Sequence, residues 1–316
     1  MTRVAAIDCG TNSVRLLIAD VTDGALVDGA LVDVERRMEI VRLGQGVDRT
    51  GRLAPEALER TFTAMRGYAK LIKEHAAPGD GPTPVRVVAT SATRDAANRG
   101  DFVSGVREIF GVDPEVVTGD EEARLSFTGA TRGLTAAAGG ATPYLVVDIG
   151  GGSTEFVVGS ASVEGALSVD IGCVRLTERH LRDDPPAGPA VQAAIDDIEA
   201  AMDRVEAAVP VRRARTLVGL AGSVTTVAGI ALGLPAYDPA RIHHSRIPAG
   251  QVHDVSARLL AMTHDERAVI PVMHPGRVDV IGAGALILDR IVRRYGFAEV
   301  VVSEHDILDG IAWSLV

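Results

Sequence analysis

The chain is poor in lysine, in aromatic residues and in cysteine, and each shortage narrows what it can do. Only two of its 316 residues are lysines and 3% are aromatic, so stacking of bases on aromatic rings is not its main means of recognition. Its formal net charge of −10 argues against DNA as a partner, because a polyanion needs a basic face. The two cysteines, Cys9 and Cys173, lack the spacing of a metal site and indicate a reducing cytoplasm.

Neither a leader nor a membrane-spanning segment is expected. Asp8 interrupts the apolar start of the chain before a signal peptide could form. The uncharged segment 216–237 has enough residues to cross a membrane. Its glycines, hydroxyl residues and proline instead favour a strand, a tight turn and the start of a helix, so we expect no contact with a membrane.

Two short segments of the chain resemble each other. Residues 8–13 read DCGTNS and residues 148–154 read DIGGGST, and both follow an apolar run. A strand, a tight turn and a second strand are predicted at each. Glycines let a backbone approach an anion, to which N–H groups and hydroxyls donate, and an aspartate at a strand end can hold a hydrated divalent cation. We therefore predict two phosphate-binding turns, called clamp 1 and clamp 2.

The residues expected to contact phosphate come from the two clamps and from a third glycine turn, GLAGS at 219–223. They are Gly10, Thr11, Asn12, Ser13, Gly150, Gly151, Gly152, Ser153, Thr154, Gly222 and Ser223. The sequence has no GxxxxGK[ST] segment, which makes a P-loop nucleotide hydrolase a poor fit.

Strands and helices alternate in both halves of the chain, which predicts an α/β protein with two similar domains, each a mixed sheet flanked by helices. We expect domain I to span residues 1–120 and domain II residues 121–303, with an interdomain cleft that grips a phosphate chain. The last predicted helix, within 304–316, is expected to pack back on domain I.

Further motifs accompany the clamps: TSATRD at 90–95, GDEEARL at 119–125, AGS at 221–223 and SEH at 303–305. Over almost the whole chain, this series resembles the exopolyphosphatase / guanosine pentaphosphate phosphohydrolase family of the actin-like ATPase superfamily. The resemblance implies two actin-like (ribonuclease H-like) domains and a homodimer. Longer members carry an additional helical C-terminal region that this sequence does not include, which favours shorter polyphosphates or a nucleotide.

The resemblance also implies roles for individual residues. Glu121 is similar to the family's general base, Glu155 to its partner carboxylate, and Arg94 to the arginine that grips the terminal phosphate. The implied cofactor is Mg²⁺ or Mn²⁺, since Mg²⁺ prefers one or two carboxylates plus phosphate oxygens. The acids expected to hold the ion are Asp8, Glu121, Asp148 and Glu155.

Each of these residues has a structural alternative. Thr118 and Glu121 have the spacing of a capping box, in which the glutamate only satisfies a backbone N–H. Capping and catalysis can hold together if the helix start presents Glu121 to the substrate, and the positive end of the helix would attract phosphate. Taken alone, Arg94 would be a surface or ion-paired residue, Glu155 a solvated strand residue, and Asp8 a cap of its turn.

The implied activity is metal-dependent hydrolysis of a phosphoanhydride by in-line attack of water. The first choice of substrate is inorganic polyphosphate, from which terminal phosphate is released, and the close alternative is guanosine pentaphosphate. A sugar or metabolite kinase of the same superfamily would need an acid against a bound hydroxyl and a nucleotide pocket. A non-enzymatic actin-like sensor or assembly protein would bind its ligand without turnover.

The segment RIHHSR at 241–246 combines arginines with His243 and His244. An exposed loop is favoured there over contact with a polyanion. The sequence assigns no role to His305, which follows Glu304 near the end of the chain.

Overall fold

The chain forms two compact units. The computed structural model describes residues 1–22, 30–76, 82–134 and 140–316. Unit 1 contains Met1–Gly133 and Ile307–Val316, and unit 2 contains Leu134–Asp306. Because the terminal segment belongs to unit 1, the chain passes from one unit to the other twice.

Unit 1 is built on a five-stranded mixed sheet with the order β3-β2-β1-β4-β5. β1, β2 and β3 pair antiparallel, whereas β4 and β5 continue the sheet in the direction of β1. The strands are β1 Thr2–Cys9, β2 Ser13–Thr22, β3 Ala30–Ile40, β4 Val85–Ala89 and β5 Glu115–Val116. The helices are α1 Val47–Thr50, α2 Pro55–Glu74, α3 Ser91–Asp95, α4 Arg99–Phe110, α5 Gly119–Thr131 and, at the end of the chain, α13 Ile307–Trp313.

Both faces of this sheet are buried, because successive side chains of a strand point to opposite faces. In β1, Ala5 and Ile7 join the apolar core that contains residues of α2 and α4. Val4 and Ala6 join a second core that contains the apolar residues of α13. The apolar run of β1 therefore ends only at Asp8, where clamp 1 begins.

Unit 2 is built on a six-stranded sheet with the order β10-β11-β9-β6-β7-β8. β6, β9 and β11 are parallel, and β7, β8 and β10 pair antiparallel with their neighbours. The strands are β6 Tyr144–Ile149, β7 Thr154–Gly159, β8 Val163–Val169, β9 Thr216–Leu220, β10 Arg246–Pro248 and β11 Glu299–Val302. The helices are α6 Cys173–Arg179, α7 Gly188–Ala208, α8 Ala221–Ala231, α9 Pro239–Ile242, α10 Ala249–Ala261, α11 His264–Ala268 and α12 Ile281–Tyr295.

The predicted fold class is confirmed, since each unit holds a mixed sheet flanked by helices. The strand and helix start expected within 216–237 are β9 and the beginning of α8. Within the described ranges, no helix is long and apolar enough to cross a membrane. The short helices α1, α3, α9 and α11 were not predicted, because four or five residues give too little periodicity to detect.

The expected domain boundary, between residues 120 and 121, lies inside α5. All of α5 belongs to unit 1, and the division between the units falls after Gly133. The helix packs against α13, which also contacts β1 and β2. The two helices together cover one face of the unit 1 sheet.

An ion pair attaches α13 to the sheet. Asp309 on α13 is 1% exposed and accepts hydrogen bonds from Arg36 on β3, 2.6 Å from Nη2 and 3.3 Å from Nη1. Arg36 also donates from Nε to Asp33 at 2.7 Å. The pair therefore joins an almost fully buried residue of α13 to a strand of the sheet.

We expect Asp309→Asn to lower the free energy of unfolding by about 1–3 kcal/mol, because it removes a charge-assisted bond from a buried site. Urea denaturation measures the change. Asp33→Asn is the matched control: the Asp33 side chain is 41% exposed, so its loss should cost less than about 1 kcal/mol. Equal losses in both variants would show that the buried pair does not hold α13 in place.

Candidate active site

Clamp 1 and clamp 2 have the same backbone turn. The N–H of Gly10 donates to the carbonyl of Ser13, and the N–H of Gly150 donates to the carbonyl of Ser153, both at 3.0 Å. Clamp 1 joins β1 to β2, and clamp 2 joins β6 to β7, as antiparallel pairs. Thr11 and Asn12 of clamp 1, and Gly151, Gly152 and Ser153 of clamp 2, lie between the strands, where backbone N–H groups are placed as in an anion-binding turn.

The strand register places a second charged residue beside each aspartate. Asp8 lies opposite Arg15, and Asp148 lies opposite Glu155, and opposite residues in an antiparallel pair share a face of the sheet. Arg15 donates to Oδ2 of Asp8 from Nε at 2.9 Å and from Nη2 at 2.7 Å. Clamp 1 therefore carries an acid that an arginine neutralises, whereas clamp 2 carries two neighbouring acids.

The segment that follows β3 holds clamp 1 in shape. The N–H groups of Val41 and Arg42 donate to the carbonyl of Asn12 at 3.0 and 2.8 Å, and Gly44 donates to the carbonyl of Thr11 at 2.8 Å. The hydroxyl of Thr11 is hydrogen-bonded to that of Ser91 on α3 at 2.9 Å. These bonds occupy carbonyl oxygens of the turn and fix its conformation.

Hydroxyl groups hold Glu155, which directly follows clamp 2 and is 1% exposed. Ser153 and Ser168 each donate to its Oε1 at 2.7 Å. The two hydroxyl donors hold the Glu155 carboxylate in one orientation. Thr154 donates to the backbone carbonyl of Ile171 at 2.6 Å and so fixes the start of β7.

Backbone hydrogen bonds from the start of α6 hold clamp 2 in place. The N–H of Cys173 donates to the carbonyl of Gly150 at 3.0 Å, and the N–H of Val174 donates to that of Gly151 at 2.9 Å. A Cβ on Gly172 would lie 2.4 Å from the Gly151 oxygen. Any side chain at that position would therefore displace the clamp.

The third turn, between β9 and α8, lies at the same edge of the unit 2 sheet, because β9 is the parallel neighbour of β6. Arg277 covers it: a Cβ on Gly222 would lie 2.4 Å from the guanidinium carbon. The same arginine donates from Nη1 to Thr226 at 3.2 Å. The sequence did not single out Arg277, and no local motif marks it.

Arg94 on α3 is bonded to Glu122 near the start of α5. Its Nη1 donates to Oε2 of Glu122 and to the carbonyl of Val117, both at 3.0 Å. The Glu122 side chain is 9% exposed. The guanidinium forms no further hydrogen bond to any residue in the described ranges, so Nε and Nη2 retain N–H donors in the geometry that fits phosphate.

Glu121 lies away from Arg94. Its side chain is 46% exposed and accepts a hydrogen bond from Arg86 at 3.0 Å. The hydroxyl of Thr118 accepts from the Glu121 N–H at 3.2 Å, so the predicted helix cap is present while the Glu121 carboxylate pairs with Arg86. Successive helix residues point about 100° apart, which explains why Glu122 and not its neighbour reaches Arg94.

Sequence reasoning missed Glu122, although a signal for it exists. The buried residues of α5 include Leu125, Ser126 and Gly129, and Glu122 extends their spacing by one turn. A charged residue on the buried stripe of a helix is expected to have a partner or a function.

Clamp 2 fits Mg²⁺ or Mn²⁺ better than clamp 1 does. Asp148 and Glu155 are both buried and lie side by side, and Mg²⁺ is usually held by one or two carboxylates that phosphate oxygens and water supplement. In the part of the chain that the structure describes, no group of three or more His, Cys, Asp or Glu could hold an ion. Asp8, another expected ligand, is already paired with Arg15.

Cys9 is 1% exposed beneath clamp 1. Burial, with a further contribution from the charge of Asp8, raises the pKa of its thiol well above the usual value. The protonated thiol is a poor nucleophile, so Cys9 serves as a small core residue at the end of β1.

Two α/β units that each carry a glycine-rich anion-binding turn, one of them with paired carboxylates, define a protein that binds and processes phosphate esters or anhydrides. The profile of the Ppx/GppA phosphatase family matches residues 17–316, and the chain belongs to that family. This confirms the family resemblance expected from the motifs.

Individual relatives align over the full chain. Exopolyphosphatase 2 of Mycobacterium tuberculosis is 51% identical over 100% of this chain and 99% of its own length. The crystal structure of an exopolyphosphatase-like protein aligns with a TM-score of 0.92 at 42% identity, over 99% of this chain and 98% of that one. The Aquifex aeolicus PPX-GPPA enzyme aligns with a TM-score of 0.80 at 32% identity, over 99% of both chains.

Close packing of α12 on the third turn gives a test of the site's construction. A Cβ on Gly284 would lie 2.2 Å from the hydroxyl oxygen of Ser223. We expect Gly284→Ala to lower the free energy of unfolding by about 1–3 kcal/mol through overpacking, although alanine favours a helix over glycine by about 1 kcal/mol. Urea denaturation of the variant measures the change.

Gly282→Ala is the control in the same helix. Its Cβ would lie 3.5 Å from the nearest side-chain atom, on Leu260, which is ordinary contact, so helix propensity should make the change neutral or stabilising by about 0.5–1 kcal/mol. If both alanine variants were equally stable, contact between α12 and Ser223 would not constrain the third turn.

Proposed function

We propose that this protein is an exopolyphosphatase, which hydrolyses the terminal phosphoanhydride of inorganic polyphosphate with the help of Mg²⁺ or Mn²⁺. The observation that carries the proposal is the bond between Arg94 and buried Glu122. Hydrolysis of a phosphoanhydride needs a cation that binds the phosphate and a carboxylate that positions water. The name of the Mycobacterium tuberculosis relative supports polyphosphate as the substrate.

Glu122, in place of Glu121, is proposed as the general base. Nη1 of Arg94 fixes the Glu122 carboxylate at 3.0 Å, so a water bound there would lie near the phosphate that the same arginine binds. Glu122 orients this water and accepts its proton, while Nε and Nη2 of Arg94 donate to the terminal phosphate. Glu121 instead belongs to a partly exposed ion pair with Arg86.

The two clamps have different roles in the proposed mechanism. The N–H groups of clamp 1 bind phosphate oxygens, and Arg15 keeps Asp8 from repelling them. In clamp 2, Asp148 and Glu155 would hold the divalent ion, which would supply positive charge to bound phosphate oxygens. Ser153 and Ser168 keep the Glu155 carboxylate oriented toward one position.

Replacing Glu121 and Glu122 separately by glutamine tests both the proposed hydrolase activity and the assignment of the general base. The wild-type protein with Mg²⁺ is expected to release phosphate from tripolyphosphate and from long-chain polyphosphate, and less from guanosine pentaphosphate or ATP. Glu122→Gln should lower kcat by about 10²–10⁴-fold, because the amide cannot accept the proton. Glu121→Gln, which leaves the Arg94 contact intact, should stay within about twofold of wild type, because only a partly exposed ion pair with Arg86 is lost.

Thermal unfolding of both variants serves as the control for folding. No phosphate release from any of the four substrates would contradict the proposed hydrolase. If Glu121→Gln lost activity while Glu122→Gln retained it, the base would be Glu121 and the assignment from the Arg94 contact would be wrong.

The metal assignment is tested with one carboxylate from each clamp. Glu155→Gln keeps the shape and accepts the same hydroxyl donors but removes one charge, so we expect the Mg²⁺ concentration for half-maximal activity to rise by at least about tenfold. Asp8→Asn should leave that concentration unchanged, although it removes the charge that pairs with Arg15. Titration calorimetry with Mn²⁺ gives an independent measure, and equal shifts in both variants would contradict a metal site confined to clamp 2.

A further inference from the structure

Three histidines of unit 2 form a cluster that the proposed mechanism does not use. The rings of His243 and His244 are stacked with centroids 3.7 Å apart, and the ring of His305 lies 4.5 Å from that of His243. All three residues are half-buried. We call His243, His244 and His305 the histidine cluster.

The cluster lies at the same edge of the unit 2 sheet as clamp 2. The parallel strands β6, β9 and β11 have their carboxyl ends at one edge, and the antiparallel β10 begins there. His305 follows β11, and His244 precedes β10 and donates its N–H to the carbonyl of Val302 at 2.6 Å. With a strand spacing of about 4.8 Å, the cluster is two or three strands, about 10–15 Å, from clamp 2.

Arg277 and the third turn lie along the sheet edge between clamp 2 and the histidine cluster. β9, which leads into the third turn, lies between β6 and β11. Arg277 packs on Gly222 of that turn and interacts electrostatically both with Cys173, beside clamp 2, and with Tyr237. The Tyr237 hydroxyl is bonded to Glu304 at 2.7 Å, next to the cluster. A guanidinium therefore lies along this edge between clamp 2 and the histidines.

Two of the three rings offer nitrogen atoms to a ligand. Neither the ring of His244 nor that of His305 makes a hydrogen bond to any residue within the described ranges. Burial, with a contribution from His305, lowers the pKa of His244, so this ring is neutral near pH 7 and has one N–H donor. His244 also has a left-handed backbone, with φ 61°, a strain that persists only where the surroundings impose it.

The cluster is not arranged as a metal site. No group of three or more metal-ligating side chains is formed by the residues that the structure describes, and the rings of His243 and His244 stack face to face whereas metal ligands direct their nitrogens at one point. A ligand with acceptor oxygens suits N–H donors better. The carboxylate of Glu304 accepts a hydrogen bond from Tyr237, and Tyr237 also interacts electrostatically with Arg277.

We propose that the histidine cluster is a subsite for distal phosphates of a polyphosphate chain, which runs from clamp 2 past the third turn along the edge of the sheet. This inference rests on the proposed exopolyphosphatase function and adds a preference for chain length to it. Tripolyphosphate bound at clamp 2 is too short to cross two or three strand widths. The cluster therefore contributes affinity for long chains and none for the shortest substrate.

The test uses a double variant, His244→Asn with His305→Gln. Asparagine tolerates the left-handed backbone at position 244, so the rings are removed with little change in fold. We expect the KM for long-chain polyphosphate to rise about 3- to 10-fold, as for the loss of one or two hydrogen bonds. The kcat and the KM for tripolyphosphate should stay at wild-type values. His264→Gln, an exposed histidine elsewhere in unit 2, is the control and should change neither substrate's KM.

An unchanged KM for the long chain overturns the proposal. An equal rise for tripolyphosphate also overturns it, because it would give the cluster a structural role, and a rise confined to guanosine pentaphosphate would assign it to a nucleoside. If the wild type hydrolyses none of these substrates, the proposed function fails by itself. Equilibrium binding of long-chain polyphosphate to wild type and double variant then decides the subsite: weaker binding by the variant supports it, and equal Kd values overturn it.

Discussion

The pairing register of two strands across a tight turn is the constraint on which the site depends. Clamp 1 and clamp 2 have turns of equal length, so the residue opposite each aspartate is fixed by its place on the second strand. That residue is Arg15 in one clamp and Glu155 in the other. An arginine at this position makes clamp 1 suited to anions alone, whereas a glutamate makes clamp 2 suited to a divalent cation as well. A slip of one residue would move both partners to the other face of their sheets.

Much of this construction could be predicted from sequence, because its signals are local. The apolar runs that end at Asp8 and Asp148, the glycines of the turns and the cap at Thr118 each depend on a few neighbouring residues. The difference between Arg15 and Glu155 could be interpreted only with the strand register, because the register shows which side chains are neighbours.

The rest depends on long-range packing, which one sequence does not reveal. Glu121 and Glu122 are equivalent in a motif, and the face of α5 that meets α3 decides which of them contacts Arg94. Arg277 lies far along the chain from Gly222, on which it packs. The first segment of unit 1 extends beyond the predicted boundary to the end of α5, because α5 packs against α13. In the chain, α13 comes almost two hundred residues after α5. Short-range spacing carries no information on such contacts.

Backbone strain is concentrated at the places to which phosphate contacts are assigned. Among the residues that the structure describes, the non-glycine residues with positive φ are Arg42, Ala221 and His244. Arg42 donates its N–H to clamp 1 at Asn12, Ala221 opens the helix after the third turn, and His244 belongs to the histidine cluster. Each such conformation costs about 1–2 kcal/mol, and glycine would remove that cost. A left-handed residue inside a hydrogen-bonded segment cannot relax alone, so the strain is stored where turn geometry has to be held for a ligand.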